Sequence, residues 1–222
     1  MHAPCSDLPD VPTTRPRKSG WQILREHGAV HYLQRALRQR GIHSFRFYWI
    51  REPVAPAVGV TASQLPDGLT MRELGPDDLP ALLGFPARGA PMTADHITEA
   101  VTRGDLCVGI LRGPVLLACS FASVGQSHTR VFSRPLAGNE GYIHNTYVVP
   151  EERGKGFAVL LNLFQLEVLA QRGYPAVYSI VAAANAPALR AKDKIGAQRE
   201  VLGWHLNLRD RLVGSMVLRR LA

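Results

Sequence analysis

Three cysteines in 222 residues, Cys5, Cys107 and Cys119, are too few and too scattered for a disulfide framework or a zinc cluster. An odd count, behind a first segment that carries early acids and prolines and no apolar core of a secretory leader, points to a reducing, cytoplasmic setting. No run of about 18 apolar residues occurs, which excludes a membrane-spanning helix. Internal repeats and low-complexity tracts are also absent. Acids are the scarcer charge, 18 against 26 Lys and Arg, for a net charge of +8. That balance attracts anions: nucleic acid, lipid headgroups or a polyphosphate cofactor. Hydrophobic residues, at 46%, and charged residues, at 20%, are in ordinary globular proportion, so a sizeable core is expected.

Charge and pattern divide the chain into three parts. Residues 1–19 are rich in Pro, Thr and charge and read as a flexible tail. Over 20–40, Trp21, Leu24, Gly28, Tyr32 and Ala36 recur at helical spacing while Arg25, Arg35, Arg38 and Arg40 occupy other faces, which predicts a basic amphipathic helix stopped by Gly41. The first 50 residues hold eight Lys and Arg against three acids, so most of the net charge lies there. Residues 43–50 (HSFRFYWI) read as a short aromatic strand or arm, and the Pro- and Gly-punctuated stretch to 68 as a linker. The main domain is then expected over 69–222.

Within 69–222 the periods alternate. Strands are expected at 69–74, 106–111, 115–123, 141–149 and 176–181, with a final pair near the C-terminus. Helices are expected from Pro76 through Leu83, after Thr93 to Gly104, over 160–170 and over 187–195. The order β-α-α-β-β-β-α-β-α-β-β describes an α/β chain with a mixed sheet and helices on both faces. The strands at 141–149 and 176–181 are joined by a helix, and a helix-length crossover makes them parallel neighbours.

The segment VVPEERGKGFAVLLNLF carries the chemistry. A strand ends, a basic glycine-rich turn follows, and an apolar helix starts at once. The first turn of a helix has unpaired N–H groups and the positive end of the macrodipole. Gly154 and Gly156 let a phosphate approach the backbone, and Arg153 and Lys155 add charge. A Walker loop does not fit, because Lys155 is followed by Gly156 and no Ser or Thr is there for magnesium. A dinucleotide fingerprint does not fit either, since the third glycine and the later acid are missing. A turn that merely requires glycine stays open on this segment alone.

A second motif decides between these readings. Arg153, Gly156 and Ala158, preceded by Val148 and Pro150, resemble the R-x-x-G-x-A/G pyrophosphate loop of the GCN5-related N-acetyltransferase (GNAT) superfamily. Asn185, Ala188 and Gly196 fit that family's second motif, which begins just after a strand. The resemblance implies the GNAT acyl-CoA N-acyltransferase fold, here with an N-terminal helical extension, and acetyl-CoA or another acyl-CoA as cofactor. It implies that the pyrophosphate sits on Arg153, Gly154, Lys155, Gly156, Phe157 and Ala158. The pantetheine arm would run by the backbone of Val148 and Val149 between splayed strands, and Asn185 and Ala188 would help seat the cofactor. An amine would attack the thioester directly.

Catalytic groups are less legible. Strand alternation puts Tyr142, His144, Thr146 and Val148 on one face. The resemblance makes His144 the candidate base, a role suited to imidazole, with a buried histidine bonded to a carbonyl as the plain alternative. Glu140 is the second candidate, with a solvated carboxylate as its plain reading. Many family members carry a Tyr seven residues after the motif Asn, placed to protonate the leaving thiolate. Lys192 stands there instead, either as a substitute for that acid or as a surface charge, and Tyr147 and Tyr178 are weaker substitutes. Cys119 reads as core, and Trp204 and His205 as packing residues or acceptor-pocket walls. The expected function is transfer of acetyl from acetyl-CoA to a primary amine on a small molecule or peptide. The alternative is a GNAT-fold module that binds acyl-CoA or an anionic membrane surface without turnover. The basic helix over 20–40 is open to docking on the domain, homodimerisation or membrane-surface contact, and no nucleic-acid motif supports nucleic acid as its partner.

Overall fold

Strand alternation and helix punctuation are realised along the chain largely where the residue types call for them. The computed structural model describes residues 42–54, 65–85, 92–125, 135–208 and 211–221. The tail expected over 1–19 and the amphipathic helix expected over 20–40 lie outside the described residues. Strand β1 is Ile42–Glu52 and β2 is Thr70–Leu74. Helices α1 (Leu79–Leu83) and α2 (Ala94–Arg103) follow. The Thr93 hydroxyl accepts from the His96 N–H to start α2, and Gly104, left-handed at φ 78°, ends it. Strands β3 (Leu106–Arg112) and β4 (Val115–Val124) form a hairpin through Gly113, at φ 56°.

Strand β5 (Glu140–Val148) leads into α3 (Phe157–Gln171) and β6 (Ala176–Ala182). Helix α4 (Ala186–Lys194) and strands β7 (Gln198–Leu208) and β8 (Arg211–Arg220) complete the order. Helix α3 begins three residues ahead of the apolar periodicity, because left-handed Gly156, at φ 84°, turns the chain straight into it. The strands form one sheet in the order β2-β3-β4-β5-β6-β1-β7-β8. Strands β5 and β6 are parallel, as the crossover through α3 requires, and the other pairs are antiparallel.

The position of β1 decides between the strand and the arm expected over 43–50 and places that strand in the same sheet as the segments from 69 onward. It is an eleven-residue strand inside the sheet, hydrogen-bonded to β6 on one side and β7 on the other. Strands β6 and β7 do not pair with each other, so their facing backbone groups depend on β1 for partners. Phe47, Trp49 and Ile50 of β1 are buried. Phe47 sits opposite Gly203 of β7, and a Cβ at that glycine would come within 2.3 Å of the Phe47 ring. Glycine is thus what lets the two strands close.

Two cores flank the sheet. Val108, Ala118, Ile143 and Val177 pack against Phe157, Leu161 and Leu169 of α3. On the other face Cys107, Cys119 and Phe121 pack with Leu82, Phe85 and Ile97 of α1, α2 and their connection. Each large apolar side chain buried this way contributes about 1.5–3 kcal/mol. Cys119 is a core residue as its surroundings in the sequence suggest, and burial pushes its thiol up to about 12.

Candidate active site

Strands β5 and β6 are paired only from Glu140 to Ile143 against Ala176 to Ser179. Beyond that point they part, and a cavity of about 760 Å³ opens between them, walled also by α3 and α4. A bulge in β5 accompanies the parting. Asn145, at φ 52°, is the one non-glycine residue at positive φ among the described residues, and the β4–β5 register slips between Cys119 and Phe121. Such a bulge inserts a residue and reverses the alternation beyond it.

The reversal corrects the expectation that Tyr142, His144, Thr146 and Val148 share a face. His144 stacks between Phe121 and Tyr142, with ring centroids 5.9 and 6.0 Å away, on the α1–α2 face. Thr146 turns to the α3 face, where its hydroxyl meets Ser120 Oγ at 2.8 Å, and Ser120 Oγ donates to Gln165 Oε1 at 2.8 Å. Val148 also packs on the α3 face.

The glycine-rich turn has the geometry of an anion cradle. Gly154 and Gly156 are left-handed, at φ 83° and 84°, and a Cβ on either would meet nothing within 4 Å. Glycine is required there for conformation, and the space above both remains open. The ladder of α3 starts with Val159 and Leu160 donating to Gly156 O, which leaves the Phe157 and Ala158 amides ahead of it available to a ligand. Arg153 is anchored by its Nε donating to Val148 O at 3.1 Å and by lying 5.5 Å over the Tyr147 ring. Lys155 is paired with Glu152 at 2.7 Å, and Arg112 reaches the same carboxylate at 3.2 Å. The hydrogen bond from Lys155, more than Arg112, holds the Glu152 carboxyl below the usual carboxylate range. Lys155 is thereby partly neutralised, so Arg153 and the amides carry most of the attraction for an anion.

His144 has a partner that the sequence did not single out. Its Nε2 lies 3.2 Å from Asp105 Oδ2, and Arg103 holds the same oxygen at 2.7 Å. Asp105 follows the Gly104 helix stop, and its N–H donates to Ala100 O at 3.0 Å. Its side chain is only 4% exposed. Desolvation raises the Asp105 pKa, but the hydrogen bonds from His144 and Arg103 outweigh it and leave the carboxyl below its ordinary value. An ionised carboxylate only accepts, so the His144 Nε2–H is the donor in this contact.

Lys192 lines the cavity and is not a surface charge. Its Nζ lies 2.6 Å from Glu52 Oε1 and donates to Asn162 Oδ1 at 3.1 Å. Ser179 Oγ donates to the same Glu52 oxygen. Glu52 comes from β1, so the strand missing from the expected domain supplies the counter-ion. Asn162 and Gln165 left a faint signal as two amides about one turn apart in a mostly apolar helix; Glu52 and Asp105 left none.

The remaining expected residues divide in two. Val148, Asn185 and Ala188 line the cavity, and the Asn185 side chain caps α4 by accepting from the Ala188 N–H at 3.2 Å. Val149 does not line it; its side chain is buried in the α1–α2 core and its N–H donates to Leu117 O. Glu140 lies at the far, paired end of β5, where the Tyr178 hydroxyl donates to it at 3.3 Å. Four strand residues, about 13 Å, separate it from His144. Trp204 donates to Ser44 Oγ and His205 meets Ser215 Oγ, both away from the cavity walls. Among the described residues no cluster of side chains is arranged to hold a metal, and no helix is long and apolar enough to cross a membrane.

The family comparison falls on the segment that holds this parallel pair and the glycine-rich helix start. The family model for the Acetyltransferase (GNAT) family matches residues 88–197, which contain the parted strands, the cradle and Lys192. The chain belongs to the GNAT superfamily. It is 28% identical to the mycothiol acetyltransferase of Thermomonospora curvata, over 79% of this chain and 67% of that protein. A solved Drosophila protein shares the fold with a TM-score of 0.57 at 16% identity, over 83% of this chain and 59% of that one. A GNAT-family acetyltransferase from Colwellia psychrerythraea does so with a TM-score of 0.55 at 14% identity, over 80% of this chain and 62% of that one. The chain thus spans about two thirds or less of these relatives' lengths.

Proposed function

We propose that this chain is an acyl-CoA-dependent N-acyltransferase that transfers acetyl to a primary amine of a small molecule or peptide. The observation that carries the reading is the cradle: two left-handed glycines under open space, unclaimed first-turn amides of α3, and an anchored arginine beside a cavity between parted strands. A diphosphate suits it, because amides at a positive helix end meet phosphate oxygens without rearrangement. When bound, an acyl-CoA supplies a thioester activated toward amines. The protein's part is to hold the diphosphate on the amides of 154–158 and Arg153, with Asn185 setting the start of α4 alongside. His144 Nδ1 accepts the proton that the attacking nitrogen sheds, and Asp105 fixes the ring through Nε2. The mycothiol acetyltransferase likeness supports acetyl as the group transferred.

Thermal unfolding with acetyl-CoA, longer acyl-CoAs, CoA and ATP as separate additions tests the reading. A ligand at about 100 times its Kd stabilises by about 2.7 kcal/mol. At 2–4 °C per kcal/mol for this length, Tm should rise by roughly 5–10 °C. A rise with acetyl-CoA and none with ATP is expected, and Arg153→Ala should shrink it; no response to any CoA species would sink the mechanism. A second reading, acyl-CoA binding without turnover, draws on the engagement of Lys192 in an ion pair. Transfer to any member of a broad amine panel would eliminate it.

A further inference from the structure

One stretch of the sheet is buried although no described helix lies over it. Phe47, Trp49, Tyr142, Ala176, Tyr178 and His205, from β1, β5, β6 and β7, are each at most 8% exposed. Trp49 stacks on Tyr142 and Tyr178, with centroids 5.9 and 5.2 Å away, and Tyr142 stacks on His144. Helices α1 and α2 share this face but pack over β2, β3 and β4, against residues such as Leu74, Cys107 and Cys119. Helix α3 packs on the opposite face, and α4 joins it there through Lys192 and Asn162. The buried members of the aromatic cluster are all strand residues, and among the described residues only Leu136 reaches it from outside the strands. A row of side chains on one face of a sheet needs a second layer to bury it.

The segments outside the described residues differ in what they can offer as that layer. Residues 55–64 run between Val54 and Leu65, which both pack in the core on the α3 side. Residues 86–91 run between Phe85 and Met92 of the α1–α2 core. Residues 126–134 hold two large apolar side chains, Val131 and Phe132. Segment 20–40, by contrast, carries Ile23, Val30, Leu33 and Leu37 at spacings of seven, three and four, with Trp21 and Tyr32 nearby. It runs through Gly41 straight into Ile42, which opens β1 opposite Leu208 of β7. A helix over 20–40 would be about 32 Å long at 1.5 Å per residue, and β1 beneath it about 36 Å. Such a helix has one apolar side, and covering this face uses it, which leaves little for a lipid surface or a second copy.

We propose that residues 20–40 dock as a helix on the sheet of their own chain, apolar side down over Phe47, Trp49 and Tyr178. The basic segment is then a fixed layer of the domain. The aromatic row ends at His144, so the docked helix backs the side of the sheet from which the proposed base works. Docking itself does not depend on the acyl-CoA reading.

The test combines hydrogen exchange over 20–40 with hydroxyl-radical footprinting of Trp49 and Tyr178. Both are run on the full chain at a concentration where sedimentation shows a monomer. The amides of 20–40 should exchange slowly with no lipid added. Leu33→Asp/Leu37→Asp should raise exchange there, and oxidation of Trp49 and Tyr178, by on the order of tenfold, while Phe157 under α3 stays protected. His31→Asp adds the same charge on the other side of the helix and should change neither; an equal response overturns the docking. Exposure of Phe157 in the double variant would mean that it has unfolded, and Leu33→Ala then has to raise exchange and oxidation together. Fast exchange over 20–40 in the wild-type monomer overturns the proposal. So does protection that needs phosphatidylglycerol vesicles or a dimer, or Trp49 and Tyr178 left unaffected in a folded variant.

Discussion

Asp105 shows how much a single side chain can organise. Its side chain is buried just past the end of α2, holds Arg103 and His144 together, and in the proposed mechanism orients the imidazole. Asp105→Asn should lower kcat by on the order of 10–100-fold with little change in the KM for acyl-CoA, because the ring loses its orientation while the cradle is untouched. The same residue has a stability signature. Its folded pKa is depressed, so its contribution is present above the unfolded value near 3.9 and is lost as pH falls through the lower folded value. Urea midpoints followed below about pH 4 should therefore fall less steeply in Asp105→Asn than in the wild type; equal slopes would mean that the carboxylate's interactions do not favour the folded state.

The decisive element is β5. A regular strand from Tyr142 to Val148 would put four side chains on one face and pair evenly with β4. The bulge at Asn145 leaves His144 beside Tyr142 on the α1–α2 face and sends Thr146 to α3, where the Ser120–Gln165 network receives it. Asn tolerates a left-handed backbone, glycine more so, and a β-branched residue poorly. Asn145→Gly should be nearly neutral in stability, whereas Asn145→Val should cost about 1–2 kcal/mol and lower kcat by misplacing His144. Denaturant unfolding of the two variants, with steady-state rates, checks both parts. Nothing in the residue types of GYIHNTYVV marks where the extra residue falls, and regular alternation was the natural reading. Helix α3 was easier: its start is signalled by glycine and its face by apolar residues, with only Asn162 and Gln165 marking the polar contacts inside.

At the scale of the whole molecule, β1 joins the two ends of the chain. It lies between β6 and β7, buries Phe47 against Gly203, and brings Glu52 to Lys192. A truncation at the boundary expected from composition, removing 1–68, takes out an internal strand together with the counter-ion of a buried lysine. Breaking such a pair from one side costs about 3–5 kcal/mol even before the lost strand is counted. The truncated chain should show no cooperative urea transition, while removal of 1–41 alone should retain one. Gly203→Ala tests the same seam more gently, with an expected loss of about 1–3 kcal/mol from overpacking against Phe47.

The GNAT assignment, the parallel crossover and the glycine-rich turn at a helix start were legible in the sequence because each is a local pattern. Glycines, charges and a helix start stand within a few residues of one another, and strand and helix periods repeat over one element. Tertiary structure alone decided which strand fills the space between β6 and β7, which face Thr146 and Val148 take and what Lys192 meets. Those outcomes depend on a bulge whose position leaves no periodic trace and on contacts such as Ser179 with Glu52, 127 residues apart. Pairing at that separation is selected by which buried hydrogen-bonding groups would otherwise lack partners, and only the folded chain brings those groups together.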